Sequence, residues 1–464
     1  MVVRIKFLGG VKTVTGTSHL VSTDKSNVLF DAGLFQGRRD EFYRQNTALN
    51  FNPRKLNAMI LSHAHIDHCG NIPVLLKGGM RCKIYTTSAT KDLAKLMLED
   101  SGKIHEEDVK YVNKINRRLG FPPRKPLYTR KEAGLAGKRF YSLTYGEKFC
   151  VANNVFVTLM DAGHILGSAV VVMDIREGEE NLRIGFAVDL GRKDLALLNN
   201  PVIPEGLDYL VIESTYGGRF HIPVDEGKAK LKDAIIRTVN RNGKVLIPAF
   251  TLERTQEVLY FLSELFREKA IPFVPVYLDS PLATNITDVF KYNLSYFNPR
   301  IQQEIKNGQS PFELLNLTYI RDQKESKALN HDKRPMIIIA GCGMCESGRI
   351  VHHLQNNISD SRNTILVVGY MAENTLGKKI VNRVPFVRIF GVEYQLNAEV
   401  VIINAFSGHA DKDELVDFVK KVNPRRRTFL VHGDIVQIQA LYDTLIQEGF
   451  NVYIPSKEEE LLLN

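Results

Sequence analysis

Apolar and polar positions alternate from the start of the chain, where Arg4 to Leu8, His19 to Ser22 and Val28 to Phe30 each read as a strand. Gly9-Gly10 and the polar turn Thr23-Asp24-Lys25-Ser26 separate them, so the chain opens as a meander. The continuous apolar run Ala58-Met59-Ile60-Leu61 predicts a buried strand, Ile72 to Lys77 a short helix and Lys83 to Tyr85 a further strand. Residues from about 89 to 145 are mostly helical and polar in pattern, and strands resume at Phe149 to Met160, Arg183 to Val188 and Tyr209 to Ile212. Beyond about residue 210 the texture changes to strands alternating with amphipathic helices. Lys244 to Pro248, Val274 to Leu278, Met336 to Ala340 and Thr364 to Val368 read as strands, and Leu252 to Lys269 as a helix with Val258, Phe261, Leu262 and Leu265 on one face. The closing section returns to the opening style, with strands at Glu399 to Ile403 and Thr428 to Val431, a helix near Gln437 to Glu448 and a strand near Val452.

A chain of 464 residues exceeds the usual size of one core, so the pattern is expected to build two domains. The 61 basic and 52 acidic residues leave +9, a lean towards polyanionic partners. Five scattered cysteines argue against a disulfide framework and for a reducing compartment, and the first strand lacks a signal peptide's apolar centre. No apolar segment approaches the ~18 residues that span a bilayer, so the expectation is a cytoplasmic protein with no membrane partner. Three segments stay open. Arg117-Arg118 with Pro122 to Pro126 reads as a solvated connection or a nucleic-acid contact, Cys342 and Cys345 as a glycine-rich turn before a helix or a thiol pair, and Arg425 to Arg427 as a turn or a phosphate contact.

The chemistry concentrates in Leu61-Ser62-His63-Ala64-His65-Ile66-Asp67-His68-Cys69-Gly70. Only 12 histidines occur in the chain, and three of them fall within six positions on the loop that leaves a buried strand. Imidazole and carboxylate suit a borderline divalent cation such as zinc. His63 and His65 can face one way while Asp67 and His68 turn another, which suits two metals better than one. The same device recurs down the chain: Asp31, His164, Asp189 and Glu213 each follow a strand, and His409 and His432 do so again near the end. A carboxylate placed like Asp189 can bridge two cations, and Asp31 can either cap a turn or hold a ligand from behind.

With His63-Ala64-His65-Ile66-Asp67-His68, Asp31, His164, Asp189 and His432 in this order, the chain resembles the metallo-β-lactamase superfamily over its whole length. The segment starting at Glu213, the turn Ser407-Gly408-His409 and the stretch Leu430 to Asp434 resemble the extra motifs of the β-CASP branch, whose members cleave nucleic acids. The resemblance implies an α/β fold, an αββα metallo-β-lactamase sandwich with an inserted α/β β-CASP domain. Residues 1–208 and 398–464 would form the sandwich and 209–397 the insert. Archaeal relatives often carry KH modules before the lactamase domain, and this sequence starts directly at that domain.

The resemblance further implies two zinc ions, one on His63, His65 and His164 and the other on Asp67, His68 and His432, with Asp189 bridging and Asp31 buttressing a ligand. Asp67, Glu213 and His409 are the expected catalytic residues. Asp67 would orient a metal-activated hydroxide, and His409, polarised by Glu213, would contact the scissile phosphate and protonate the leaving oxygen. Ser407, Gly408 and His409 would hold substrate. His432 points to RNA, because DNA-repair members usually carry an aliphatic residue at that motif. The expected partner is single-stranded RNA, with a homodimer allowed. The rival readings are a DNA or mixed-specificity nuclease, a hydrolase of small thioesters or lactams, and a non-catalytic RNA-binding subunit.

Overall fold

The structure is a computed structural model that describes every residue except Met1, Arg38 and Glu373. Two compact units divide the chain, one formed by Met1–Phe220 with Gly408–Asn464 and the other by His221–Ser407. The division falls after Phe220 and Ser407, not at residues 208 and 397 as the change of texture suggests. Backbone pairing is the reason. Tyr209–Ile212 lies parallel between Glu180–Ala187 and Arg427–Leu430 in the first unit, while Glu399–Ile402 pairs parallel with Thr364–Val367 in the second.

The first unit holds two seven-stranded sheets. One runs Glu460–Leu463, Val3–Gly9, Ser18–Ser22, Asn27–Phe30, Ala58–Ile60, Lys83–Thr86 and Phe140–Ser142. The other runs Val452–Tyr453, Arg427–Leu430, Tyr209–Ile212, Glu180–Ala187, Ala169–Glu177, Val155–Asp161 and Lys148–Ala152. Period-two alternation turns Val3, Ile5, Phe7, Val28, Phe30 and Ile60 of the first sheet onto Val157, Leu159, Val171, Ile184, Phe186 and Phe429 of the second, in one buried cluster. Phe30 and Phe186 stack across this core with ring centroids 4.4 Å apart. The outer face of the second sheet is covered by helices Lys412–Val422 and Ile435–Gln447 through Leu415, Phe418, Val419, Ile438, Leu441 and Leu445. The run Phe149 to Met160, read from sequence as one strand, is a hairpin, because Asn154 takes a left-handed turn (φ 61°) between Lys148–Ala152 and Val155–Asp161.

Residues 88–119 form one helix of 32 residues, held at its start by the Thr87 hydroxyl, which accepts from the Thr90 N–H, and ended by Gly120 in a left-handed conformation (φ 74°). No helix among the described residues is long and apolar enough to cross a membrane.

The second unit carries a six-stranded parallel sheet ordered Leu317–Tyr319, Val276–Leu278, Met336–Ala340, Lys244–Pro248, Thr364–Val367 and Glu399–Ile402, with a separate hairpin, Phe386–Ile389 with Val392–Gln395. Strands buried on both faces read as continuous apolar runs, as Met336-Ile337-Ile338-Ile339-Ala340 does. Just past the end of Val276–Leu278 Asp279 is wholly buried, accepting from Ser326 Oγ at 2.5 Å, His353 Nε2 at 2.6 Å and Arg349 Nη1 at 2.5 Å. Cys342 and Cys345 are free thiols on a turn closed by the Cys345 N–H to the Cys342 carbonyl (3.1 Å), ahead of the helix Arg349–Asn357.

Candidate metal centre

Strand ends of both sheets of the first unit deliver the polar groups. His63 and His65 lie on the loop after Ala58–Ile60, while Asp67 and His68 occupy the short helical turn Ile66–Cys69. His164 follows Val155–Asp161, Asp189 follows Glu180–Ala187, and His432, with φ 46°, follows Arg427–Leu430. Two nests result. His63 Nε2 and His164 Nε2 each stand 3.2 Å from Asp189 Oδ2, and His65 Nδ1 stands 3.1 Å and 3.3 Å from those two nitrogens. His432 Nδ1 and His68 Nε2 lie 3.0 Å and 3.4 Å from Asp189 Oδ1, and His432 Nε2 lies 3.5 Å from Asp67 Oδ2. Asp189 thus turns one oxygen to each nest.

The outward hydrogen bonds fix the tautomers. His164 Nδ1 faces the Gly408 carbonyl at 3.1 Å, which can only accept, so Nδ1 carries the proton and Nε2 a lone pair. His68 Nδ1 donates to Asp31 Oδ2 at 2.7 Å, leaving its Nε2 unprotonated when the ring is neutral. The Ser62 hydroxyl spends its one hydrogen on Asp31 Oδ2 (2.7 Å), so His63 Nδ1 donates to Ser62 Oγ (2.9 Å) and its Nε2 too points inwards as a lone pair. These lone pairs converge on a fully buried carboxylate. Among the described residues, neither oxygen of Asp189, nor Nε2 of His68 or His432, has a hydrogen-bond partner. Electron pairs gathered this way repel one another unless positive charge sits among them. In the chain alone protons supply it: burial opposes the charge, yet Asp189 and Asp67 together push His432 up to about 10. Asp189 is held well below the usual carboxylate range, burial being outweighed by His432, His68 and His63. A donor set of imidazole nitrogens and carboxylate oxygens fits divalent cations of the zinc type, with the Thr215 hydroxyl 3.3 Å from His432 Nδ1 at its edge.

Beside the nests His409 Nδ1 stands 3.1 Å from both oxygens of the wholly buried Glu213. Glu213 Oε1 also accepts from the Leu190 N–H at 2.6 Å, next to Asp189. Burial disfavours a charged His409 ring, but Glu213, with Asp189 adding, outweighs it and holds the ring above the ordinary histidine range. Its ring centroid is 4.5 Å from that of His164.

Every expected ligand and Asp31 are brought together in the first unit. Gly408 turns its carbonyl to His164. Ser407 is a buried residue that closes the second unit. Two contributors escape a reading of single residues: Ser62, which ties Asp31 to His63, and Thr215, whose hydroxyl donates to the His432 carbonyl at 3.1 Å. The only signal in sequence is adjacency, since Ser62 precedes His63 and Thr215 lies two residues after Glu213.

Comparison with known proteins gives three family matches. The metallo-beta-lactamase superfamily profile covers residues 11–132, the Beta-Casp domain 255–380, and a Zn-dependent metallo-hydrolase RNA specificity domain 393–455. The chain is 35% identical to Ribonuclease TTHA0252 of Thermus thermophilus over 97% of both chains. It is 34% identical to the transcription termination factor FttA of Pyrococcus horikoshii over 93% of this chain and 66% of that one, and 31% identical to FttA of Methanocaldococcus jannaschii over 96% and 69%. A crystal structure of a protein of unknown function from Enterococcus faecalis shares the fold at a TM-score of 0.58 and 14% identity, over the whole of both chains.

Proposed function

The chain belongs to the metallo-β-lactamase superfamily, in its β-CASP branch, and from that membership we propose a zinc-dependent ribonuclease that hydrolyses phosphodiester bonds of single-stranded RNA. The observation that carries the reading is Asp189, buried, with neither oxygen hydrogen-bonded and one turned to each nest of histidine nitrogens. His63, His65 and His164 would hold one cation and Asp67, His68 and His432 a second, with Asp189 available to both. When bound there, zinc would supply Lewis acidity to the phosphate and would acidify water in the site. Asp67, at the rim of its nest, orients that water towards phosphorus. Asp31 and Ser62 keep His68 and His63 in the ligating tautomer.

His409 holds its Nδ1 proton on Glu213, which steadies the charged ring. Its second nitrogen binds a phosphate oxygen and passes a proton to the 3′-oxygen as the P–O bond breaks, leaving a 5′-phosphate and a 3′-hydroxyl. The backbone N–H groups of Ser407 and Gly408 are the contacts we assign to a neighbouring phosphate. The relative from Thermus is named a ribonuclease and the profile at 393–455 an RNA specificity domain, and both support RNA over DNA.

The test is a cleavage ladder on end-labelled single-stranded RNA and DNA of one sequence, with wild type, Asp67→Ala and chelator-treated protein. Cutting of RNA by the untreated wild type alone, restored to the chelated sample by zinc, is the expected outcome. Intact RNA with zinc fully bound would end the ribonuclease reading.

A further inference from the structure

The excess positive charge of this chain is not spread over its surface. Residues 109–131 contain eight basic residues and not one acid, in a chain whose whole net charge is +9. All eight (Lys110, Lys114, Arg117, Arg118, Arg124, Lys125, Arg130 and Lys131) are exposed. Arg124 pairs with Asp40 and Arg130 with Glu99, and among the described residues the other six have no carboxylate within ion-pair reach. The contrast with Arg425 and Arg426 is direct, since those two lie 3.8 Å and 3.9 Å from Asp208.

The segment is built, not loose. It is the distal part of the long helix Ser88–Leu119 with the loop that follows. Asn113 clasps that loop by accepting from the Arg124 N–H (2.8 Å) and donating to the Arg124 carbonyl (3.0 Å), and Asn116 donates to the Pro122 carbonyl (3.1 Å). Val109 and Val112 face inwards, while Tyr111 and Phe121 are 62% and 61% exposed. Helical spacing puts Tyr111, Lys114, Ile115 and Arg118 on one face, so flat and apolar groups alternate with cations. A membrane-binding helix separates the two kinds of residue onto opposite faces. Interleaving them suits a strand that offers phosphates and base faces in turn.

The geometry points to a second RNA-binding platform on this helix end, gripping substrate away from the cutting centre; it rests on the ribonuclease reading for its choice of RNA. The start of the helix is tied to the loop that carries His164, because the Thr87 and Thr90 hydroxyls donate to the Gly167 carbonyl at 2.7 Å and 2.8 Å. At 1.5 Å per residue Lys110 lies roughly 30 Å along the helix from that tie. That separation is about nine stacked nucleotides at 3.4 Å each, so a short oligonucleotide cannot occupy both places.

The test compares the wild type with Lys114→Gln/Arg117→Gln/Arg118→Gln and with Tyr111→Ala. Binding of a labelled 30-nucleotide single-stranded RNA is measured without metal across a salt series, and cleavage of the same RNA and of a hexamer with zinc. Loss of three phosphate contacts should weaken binding roughly 10–50-fold near 0.15 M salt and reduce the log–log salt slope by about 2. Tyr111→Ala should weaken it roughly tenfold through lost stacking. The KM for the long RNA should rise with kcat unchanged, and hexamer cleavage should stay as in the wild type. Equal affinity and equal slope in wild type and variants would overturn the platform, as would loss of binding to anionic lipid vesicles with RNA binding intact. Should no protein cleave RNA while the metal-free slope still falls, the ribonuclease reading fails and the platform stands.

Discussion

His409 is the side chain on which the proposed proton transfer depends, and its neighbours define what its loss should do. The Glu213 carboxylate holds Nδ1 from one side, so His409 stands outside the two nests, although with Glu213 and Asp189 it forms a third group of close donor atoms. His409→Ala should therefore lower kcat by ~10²–10⁴ while bound zinc, measured by elemental analysis, stays at the wild-type level. Full activity with zinc bound would remove the acid role. At this scale the sequence was informative where chemistry is dense along the chain, as in His63 to His68, because four ligands in six residues need no tertiary information to be noticed. It was silent on the relays behind them. Ser62 joins His63 to an aspartate 31 residues earlier, and Thr215 reaches a carbonyl 217 residues later, contacts that only the packed sandwich creates. Gly408 shows the same limit, since its carbonyl, and not a side chain, holds His164.

Elements were legible where a short apolar run is continuous, as in strands buried on both faces. Lys244–Pro248 and Met336–Ala340 are strands over the residues their apolar runs predict. Phe149 to Met160 was not, because the hairpin turn is made by two asparagines inside an otherwise strand-like run. The domain edges slipped for a related reason: Tyr209–Ile212 and Glu399–Ile402 both read as short strands, and only their pairing partners assign them to different units. Within the second unit, Asp279 pins the helices Gln323–His331 and Arg349–Asn357 to the end of Val276–Leu278. Burial pushes its carboxyl up, but His353, Ser326 and Arg349 outweigh that and hold it below the usual range. A depressed carboxyl stabilises above the unfolded pKa, about 3.9, and that contribution is lost as pH falls through the folded pKa. Asp279→Asn should cost about 3–5 kcal/mol at neutral pH by leaving His353 and Arg349 uncompensated, and the gap from wild type should close in acid. Denaturant unfolding across a pH series measures both.

For the whole chain, the nests draw ligands from both sheets of the first unit and, among the described residues, none from the second. Bound cations should therefore clamp one sheet to the other. With free zinc at a hundred times its dissociation constant, the first unit should gain about 2.7 kcal/mol for each ion bound. Hydrogen exchange with and without chelator reads this out: protection should fall in Val3–Gly9 and Glu180–Ala187 and stay unchanged in Met336–Ala340. A uniform loss across both units would contradict it. Net charge alone gave a correct lean but a diffuse one, because +9 says nothing of where the charge sits, and only the exposed helix end shows it gathered in one place.

The interruption of the first unit by residues 221–407 also has a meaning in time. Tyr209–Ile212 waits for Arg427–Leu430, and Val3–Gly9 waits for Glu460–Leu463. At 5–20 residues per second the ribosome needs roughly ten to forty seconds to make the intervening chain. During that interval the nascent protein holds His63 to Asp189 but neither His409 nor His432. The metal centre is thus assembled late in synthesis, once Arg427–Leu430 has paired with Tyr209–Ile212 and carried His432 into place.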